Sequence, residues 1–212
     1  FASIKFLDEN TILAHQVNCT PNDLKILKRT GAKIAHNPLA NTILGSGMPP
    51  IIEMLKLGIP IAISTDGSGS ADNQSIISAA RLASQYQKAL YKDATLLPAA
   101  QVLEMITLKP AQMLGFNSGS LDAGKDADFI LLDLSRPNLT PTRQDNVIEN
   151  IIWAADGSEV KDVVANGIIL KENYKFLTLD AEKIKREAQE LSELLIEYRK
   201  TAKEIKGTGA HK

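Results

Sequence analysis

The sequence predicts an α/β fold built on a parallel sheet, followed by a small β part and a long terminal helix. Three observations carry this. Apolar runs of strand length alternate with helix-like segments as far as Asp66. An Asn-Gly pair separates two β-rich runs at 166–167. Apolar residues recur at heptad spacing after Asp180. The chain is therefore divided into 1–116, 117–176 and 177–212.

The elements follow in order. Thr11–His15 reads as a buried strand. Pro21–Thr30 reads as a helix, with Thr20 as N-cap, Leu24, Ile26 and Leu27 as the apolar face, and Gly31 as the stop. Ala32–His36 is a second strand, stopped by Asn37-Pro38. Pro49–Leu57 is a second helix, closed by Gly58, and Ile59–Thr65 is a third strand ending at Asp66-Gly67. The runs are nearly continuous in apolar character, which suits strands covered on both faces. A small polar loop spans 67–73, and helices are expected over Gln74–Tyr91 and Pro98–Leu114, with Gly115 as a stop. The character changes at Asn117. Gly119, Gly124 and Asp126 lead into a strand over Ala127–Asp133, and Val160–Ala165 and Ile168–Lys171 flank a type I′ turn at Asn166-Gly167.

Asp180 caps a helix expected to run to about Lys206. Ile184, Ala188, Leu191, Leu195, Tyr198, Ala202 and Ile205 form its seam. Such a seam suits a surface helix lying on its own protein or a coiled-coil partner. Gly207–Lys212 is expected to fray, and His211 within it has no assigned role.

Composition excludes several classes. With 24 Lys plus Arg against 25 Asp plus Glu the net charge is -1, and only 5% of residues are aromatic, so neither a basic nor a stacking nucleic-acid surface is expected. One cysteine, Cys19, cannot form an internal disulfide, which fits a reducing, cytoplasmic setting. No apolar run approaches the roughly 18 residues of a membrane helix. Lys5 and Asp8 interrupt any signal-peptide pattern at the start. Gly124-Lys125 lacks the spacing of a phosphate loop. The chain starts at Phe1 without an initiator Met, so it is expected to be a piece of a longer protein.

In parallel α/β folds the chemistry lies beyond the C-terminal ends of the strands. Those ends carry His15, His36 and Asp66. Asp66 precedes a Gly- and Ser-rich loop, where it can hold a metal, act as a base or brace the loop. His15 can be a metal ligand, a general base, an oxyanion stabiliser or a hydrogen-bonded core residue. His36 has the same range, and Pro38 close behind also suits a turn.

The strings Ala14-His15-Gln16-Val17, Ala35-His36-Asn37-Pro38 with Asn41 and Leu44-Gly45-Ser46-Gly47, and Ser64-Thr65-Asp66-Gly67 with Ser70 resemble the C-terminal half of the amidohydrolase superfamily. The resemblance is closest to the branch of methylthioadenosine/S-adenosylhomocysteine deaminases and triazine or atrazine chlorohydrolases. Gly119-Ser120-Leu121, Ala123 to Asp128 and Val163 to Gly167 resemble the β-sandwich strands around that family's barrel.

The resemblance implies a metal-dependent (β/α)₈ TIM barrel, of which this chain holds strands 6–8. His15 would end the sixth strand, His36 the seventh and Asp66 the eighth. Asp66 would bind one divalent metal, zinc first and iron as an alternative, and take a proton from water. His15 would stabilise the attacking oxygen. Gly67 and Ser70 would lie by the leaving group, with His36 as a further candidate for substrate contact. The implied activity is an aminohydrolase (deaminase) acting on a purine nucleoside-like or other nitrogen-heterocycle substrate. A chlorohydrolase or another C–N hydrolase is the alternative within the family, and a non-catalytic scaffold or oligomerisation piece the alternative outside it. The other ligands belong upstream of Phe1, so the chain is expected to be inactive without an N-terminal half. A homo-oligomer is expected, with no nucleic acid or membrane partner.

Overall fold

The computed structural model describes residues 2–208, with side chains described for 3–200. Strands β1 (Ile12–Ala14), β2 (Lys33–His36) and β3 (Ile61–Ile63) form a parallel sheet in that order. Their register aligns Leu13 with Ile34 and Ile61, and Ala14 with Ala35 and Ala62. The first row packs into the main core, and the alanines occupy the opposite face. Small side chains there leave that face nearly flat.

Local sequence sets the first crossover. Helix α1 (Pro21–Thr30) starts with a capping box between Thr20 and Asp23 and has Pro21 in its first turn. Leu24 and Leu27 bury its apolar face, and Gly31 ends it at φ 74. The expected stop at Asn37-Pro38 is also a start: α2 (Pro38–Ile43) begins there, because proline's fixed φ suits a first helical turn. The second expected helix is α3 (Ile51–Lys56). A single turn, α4 (Ser68–Ala71), occupies the expected polar loop.

Helix α5 (Ile76–Tyr91) is capped by Ser75, whose hydroxyl accepts the Ser78 N–H, so Gln74 falls outside it. The single helix expected over Pro98–Leu114 is two. α6 (Ala99–Ile106) and α7 (Leu108–Leu114) meet at Thr107, whose φ of −124 and ψ of −82 break the ladder. Pro110 explains the break, since it has no N–H for the Ile106 carbonyl and its ring would clash there.

The antiparallel sheet contains β4 (Phe129–Leu132), β5 (Val160–Ala165), β6 (Ile168–Glu172) and β7 (Lys175–Phe176), in that order. Asn166 and Gly167 have φ 49 and 74, as a type I′ turn requires. Helix α8 (Val147–Trp153), between β4 and β5, has no counterpart in the sequence reading. Its Ile152 is fully buried in the main core with Ile148 and Trp153 against it, so part of the segment 117–176 completes the α/β packing. Arg81 of α5 ties it there: Nε donates to the Ile152 carbonyl at 2.9 Å, and the guanidinium also donates to the Ala155 carbonyl.

Asp180 accepts the Lys183 N–H at the start of α9 (Ala181–Thr208). Ile184, Leu191, Leu195 and Tyr198 on its seam are all exposed, so among the described residues the seam lies on nothing. The side chains of Ala202 and Ile205, and residues 209–212 with His211, lie outside the described residues. Among the described residues no helix is long and apolar enough to cross a membrane.

Candidate active site

His15 and Asp66 both have left-handed backbones, each with φ 68. This is uncommon for residues other than glycine and changes where the side chains go. Extending β1 in register would place His15 beside His36, on the helix-facing side. The left-handed turn at His15 breaks that alternation, and a tight bond from Gln16 N–H to the Ala14 carbonyl at 2.9 Å closes it. His15 Nε2 then lies 3.5 Å from Asp66 Oδ2, across the end of the intervening strand.

The surroundings fix both groups. His15 Nδ1 is 2.8 Å from Asn41 Oδ1. Asp66 Oδ1 accepts the Gly67 N–H at 2.8 Å, while Oδ2 faces His15. The Asp66 carbonyl accepts from Gln74 Nε2 at 3.1 Å, and Gln74 Oε1 accepts from the Thr65 hydroxyl at 3.2 Å. Gln74 therefore clamps the strained turn from both sides. The His15 and Asp66 side chains remain 41% and 31% exposed, open to a cleft of about 510 Å³. Gln16, Val17, Asn18, Leu44 and Ser46 complete its lining.

The other expected residues fall elsewhere. His36 is fully buried and does not line the cleft among the described residues: it stays in phase with its strand and is covered from the helix side. Neither of its ring nitrogens has a hydrogen-bond partner among the described residues. Burial, helped by the nearby His15, pushes its pKa down to about 3, so it is neutral. Gly67 and Ser70 lie next to Asp66 but outside the cleft lining. The Ser70 hydroxyl donates to the Gly67 carbonyl at 3.0 Å, within its own turn. Asn41 and Gln74 were not singled out for these contacts. Their signal was weak: a polar residue inside a short apolar helix, and a glutamine just before a cap.

Chemically, the site pairs a carboxylate oxygen with an imidazole nitrogen at a concave strand end. It can hold the two protons of a water molecule or present an oxygen donor to a cation. Among the described residues no three or more His, Cys, Asp or Glu side chains group as a cation site. A cation bound beside Asp66 would need donors beyond these residues.

Known proteins resemble this chain in sequence and fold. The model of the amidohydrolase family matches residues 1–170. A 5′-deoxyadenosine deaminase of Methanosphaera stadtmanae is 41% identical over 180 residues, covering 85% of this chain and 42% of that protein. A 5-methylthioadenosine/S-adenosylhomocysteine deaminase of Moorella thermoacetica is also 41% identical over 180 residues, covering 84% of this chain and 42% of the relative. The chain thus spans less than half the length of these relatives. An adenosine deaminase from Xanthomonas campestris, solved with bound zinc, superposes with a TM-score of 0.85 at 28% identity, over 91% of this chain and 44% of that one. The family match over most of the chain and the identity to these relatives show that the chain belongs to the amidohydrolase family.

Proposed function

We propose that this chain supplies the part of an active site carried by strands 6–8 in a metal-dependent aminohydrolase. The enzyme removes an amino group, as ammonia, from a purine nucleoside-like or other nitrogen-heterocycle substrate. The observation that carries this reading is the His15–Asp66 pair, 3.5 Å apart on two left-handed turns. The names of the relatives support the substrate class.

The Asp66 carboxylate is the donor on this chain that would hold one divalent ion, zinc first by analogy with the zinc-bound neighbour, with iron also suited. Such an ion, when bound, acidifies water and polarises the reacting carbon–nitrogen system. Asp66 takes the proton of the attacking water. His15 Nε2 orients the remaining O–H and, once protonated, steadies the charge developing at the ring carbon. Gly67 and Ser70 border the leaving-group side through the turn that follows Asp66. The remaining ligands come from a preceding half of the barrel.

The same reading places the enzyme in the cytoplasm and divides the chain into a barrel part (1–116), a small β part (117–176) and a terminal helix. It also makes the enzyme a homo-oligomer, which the exposed α9 seam supports; deleting 181–212 should then lower the solution mass to that of a smaller assembly.

The test is ammonia release from 5′-deoxyadenosine and methylthioadenosine by the full natural chain and its Asp66→Asn variant. Loss of ammonia release in the variant is expected. Undiminished release would overturn the reading. Chloride release from a chlorotriazine, with no ammonia from either nucleoside, would shift it to the dechlorinating reading.

A further inference from the structure

Asn41 sits where it can decide which nitrogen of His15 carries the proton. Asn41 is only 2% exposed, and its backbone is held on both sides. The Asn41 N–H donates to the Asn37 carbonyl at 3.1 Å, and the Asn41 carbonyl accepts the Ser46 N–H at 2.9 Å. Thr42, the next residue, bonds back to the Pro38 carbonyl at 2.8 Å and stiffens the same turn. These bonds fix the base of the side chain; among the described residues its Nδ2 has no partner, so the contact of the carboxamide is the one from Oδ1 to His15.

A carboxamide oxygen only accepts hydrogen bonds. With Asn41 Oδ1 2.8 Å from His15 Nδ1, the proton of the neutral ring lies on Nδ1. The lone pair is then on Nε2, facing Asp66 Oδ2 at 3.5 Å. Two acceptors facing each other at that distance do not bond directly. An O–H donor between them satisfies both, and water has two such protons.

We infer that Asn41 is a positioning residue: by accepting from Nδ1–H it holds His15 as a proton acceptor toward the cleft, so that His15 Nε2 and Asp66 Oδ2 together grip the attacking water. This rests on the deaminase reading for its purpose but not for its observation. The opposite amide orientation would donate Asn41 Nδ2 to Nδ1, move the ring proton to Nε2 and point an N–H at Asp66. The two arrangements are distinguishable without turnover.

The experiment uses the full natural chain labelled with ¹⁵N in histidine, at a pH where the imidazole is neutral. Long-range ¹H–¹⁵N correlation reads the tautomer, and the signal missing from a His15→Gln variant identifies His15. The Nδ1–H form is expected. In Asn41→Leu, similar in size but without an acceptor, that form should give way to Nε2–H. In Asn41→Asp, which keeps an acceptor oxygen, it should persist. Kinetically, Asn41→Leu should lower kcat about 10- to 100-fold with KM little changed, and Asn41→Asp should recover much of the loss. A wild-type His15 in the Nε2–H form overturns the inference, even if Asn41→Leu fails to fold. So does an Asn41→Leu variant with tautomer and kcat both unchanged. Because the tautomer is read without substrate, its outcome is separate from the Asp66→Asn test of the deaminase reading.

Discussion

The two sheets of this chain have similarly apolar strands but very different cover. In the parallel sheet, Ile34 and Ile61 are 0% and 2% exposed, under helices that supply Met54, Ala80 and Val102. In the antiparallel sheet, Ile130, Ile168 and Ile169 all remain about half exposed. The ladder bonds are made in both; what differs is the area removed from water. The strand ends bearing His15 and Asp66 therefore stand on a sheet with its own core. The antiparallel sheet owes its order more to turns and register than to burial within these residues.

The largest expected effect separates chemistry from stability on the well-covered sheet. Asp66→Asn keeps an oxygen for the Gly67 N–H but removes the proton acceptor. In the full natural chain it should lower turnover by about 10²- to 10⁴-fold, the usual contribution of a general base, while the melting temperature changes little. Parallel ammonia assays and thermal melts check this. A variant that loses activity only because it unfolds would remove Asp66 from the chemistry.

The cover itself can be tested by paired truncations. Ile34→Ala should cost about 2–5 kcal/mol, as buried large-to-small changes do. Ile169→Ala, at 46% exposed, should cost less than about 1 kcal/mol. Denaturant midpoints measure both, and equal costs would mean that the antiparallel sheet is covered in the intact protein.

His36 adds a pH dependence to the same core. Its folded pKa, about 3, lies below its ordinary value of 6.5. Below 6.5 the unfolded chain binds the proton that the folded chain refuses, so the favourable contribution is complete above 6.5 and is lost as pH falls toward 3. The slope in that window is at most about 1.4 kcal/mol per pH unit. His36→Gln should flatten it, as read from denaturant midpoints against pH. An unchanged acid limb would show that His36 is not the group responsible.

The sheets also differ in how legible they were. The three parallel strands, α1 with its Thr20 cap and the Asn166-Gly167 turn could be read because each depends on neighbours in sequence: apolar runs, a cap, a dipeptide with positive φ. His15 and Asp66 were legible as residues at strand ends, and the family motifs gave them roles. Their juxtaposition was not, because it depends on two left-handed backbones that period-two alternation does not foresee. From strand position alone His36 has the same range of roles as His15, and what separates them is that the alternation breaks at one strand end and not at the other. Helix α8 was missed because its Ile148, Ile152 and Trp153 earn their place only against α5 and α6. The hold of Asn41 on His15 crosses 26 positions and leaves no local mark.

The smallest expected effect isolates the antiparallel sheet. Asn166 holds φ 49 in the hairpin turn, its N–H donates to Asp128 at 2.6 Å, and the Gly167 N–H donates to the Ala127 carbonyl at 3.0 Å. Asn166→Gly keeps the left-handed conformation and these backbone bonds, so stability should hardly move. Asn166→Val forces a β-branched residue into that region, at about 1–2 kcal/mol. Because little apolar area couples this sheet to the core, the loss should stay local. Amide exchange should quicken across β5 and β6, while the amides of β2 and β3 keep their protection. If protection fell equally in both sheets, the two would unfold as one unit, and the contrast in cover would not be a contrast in stability.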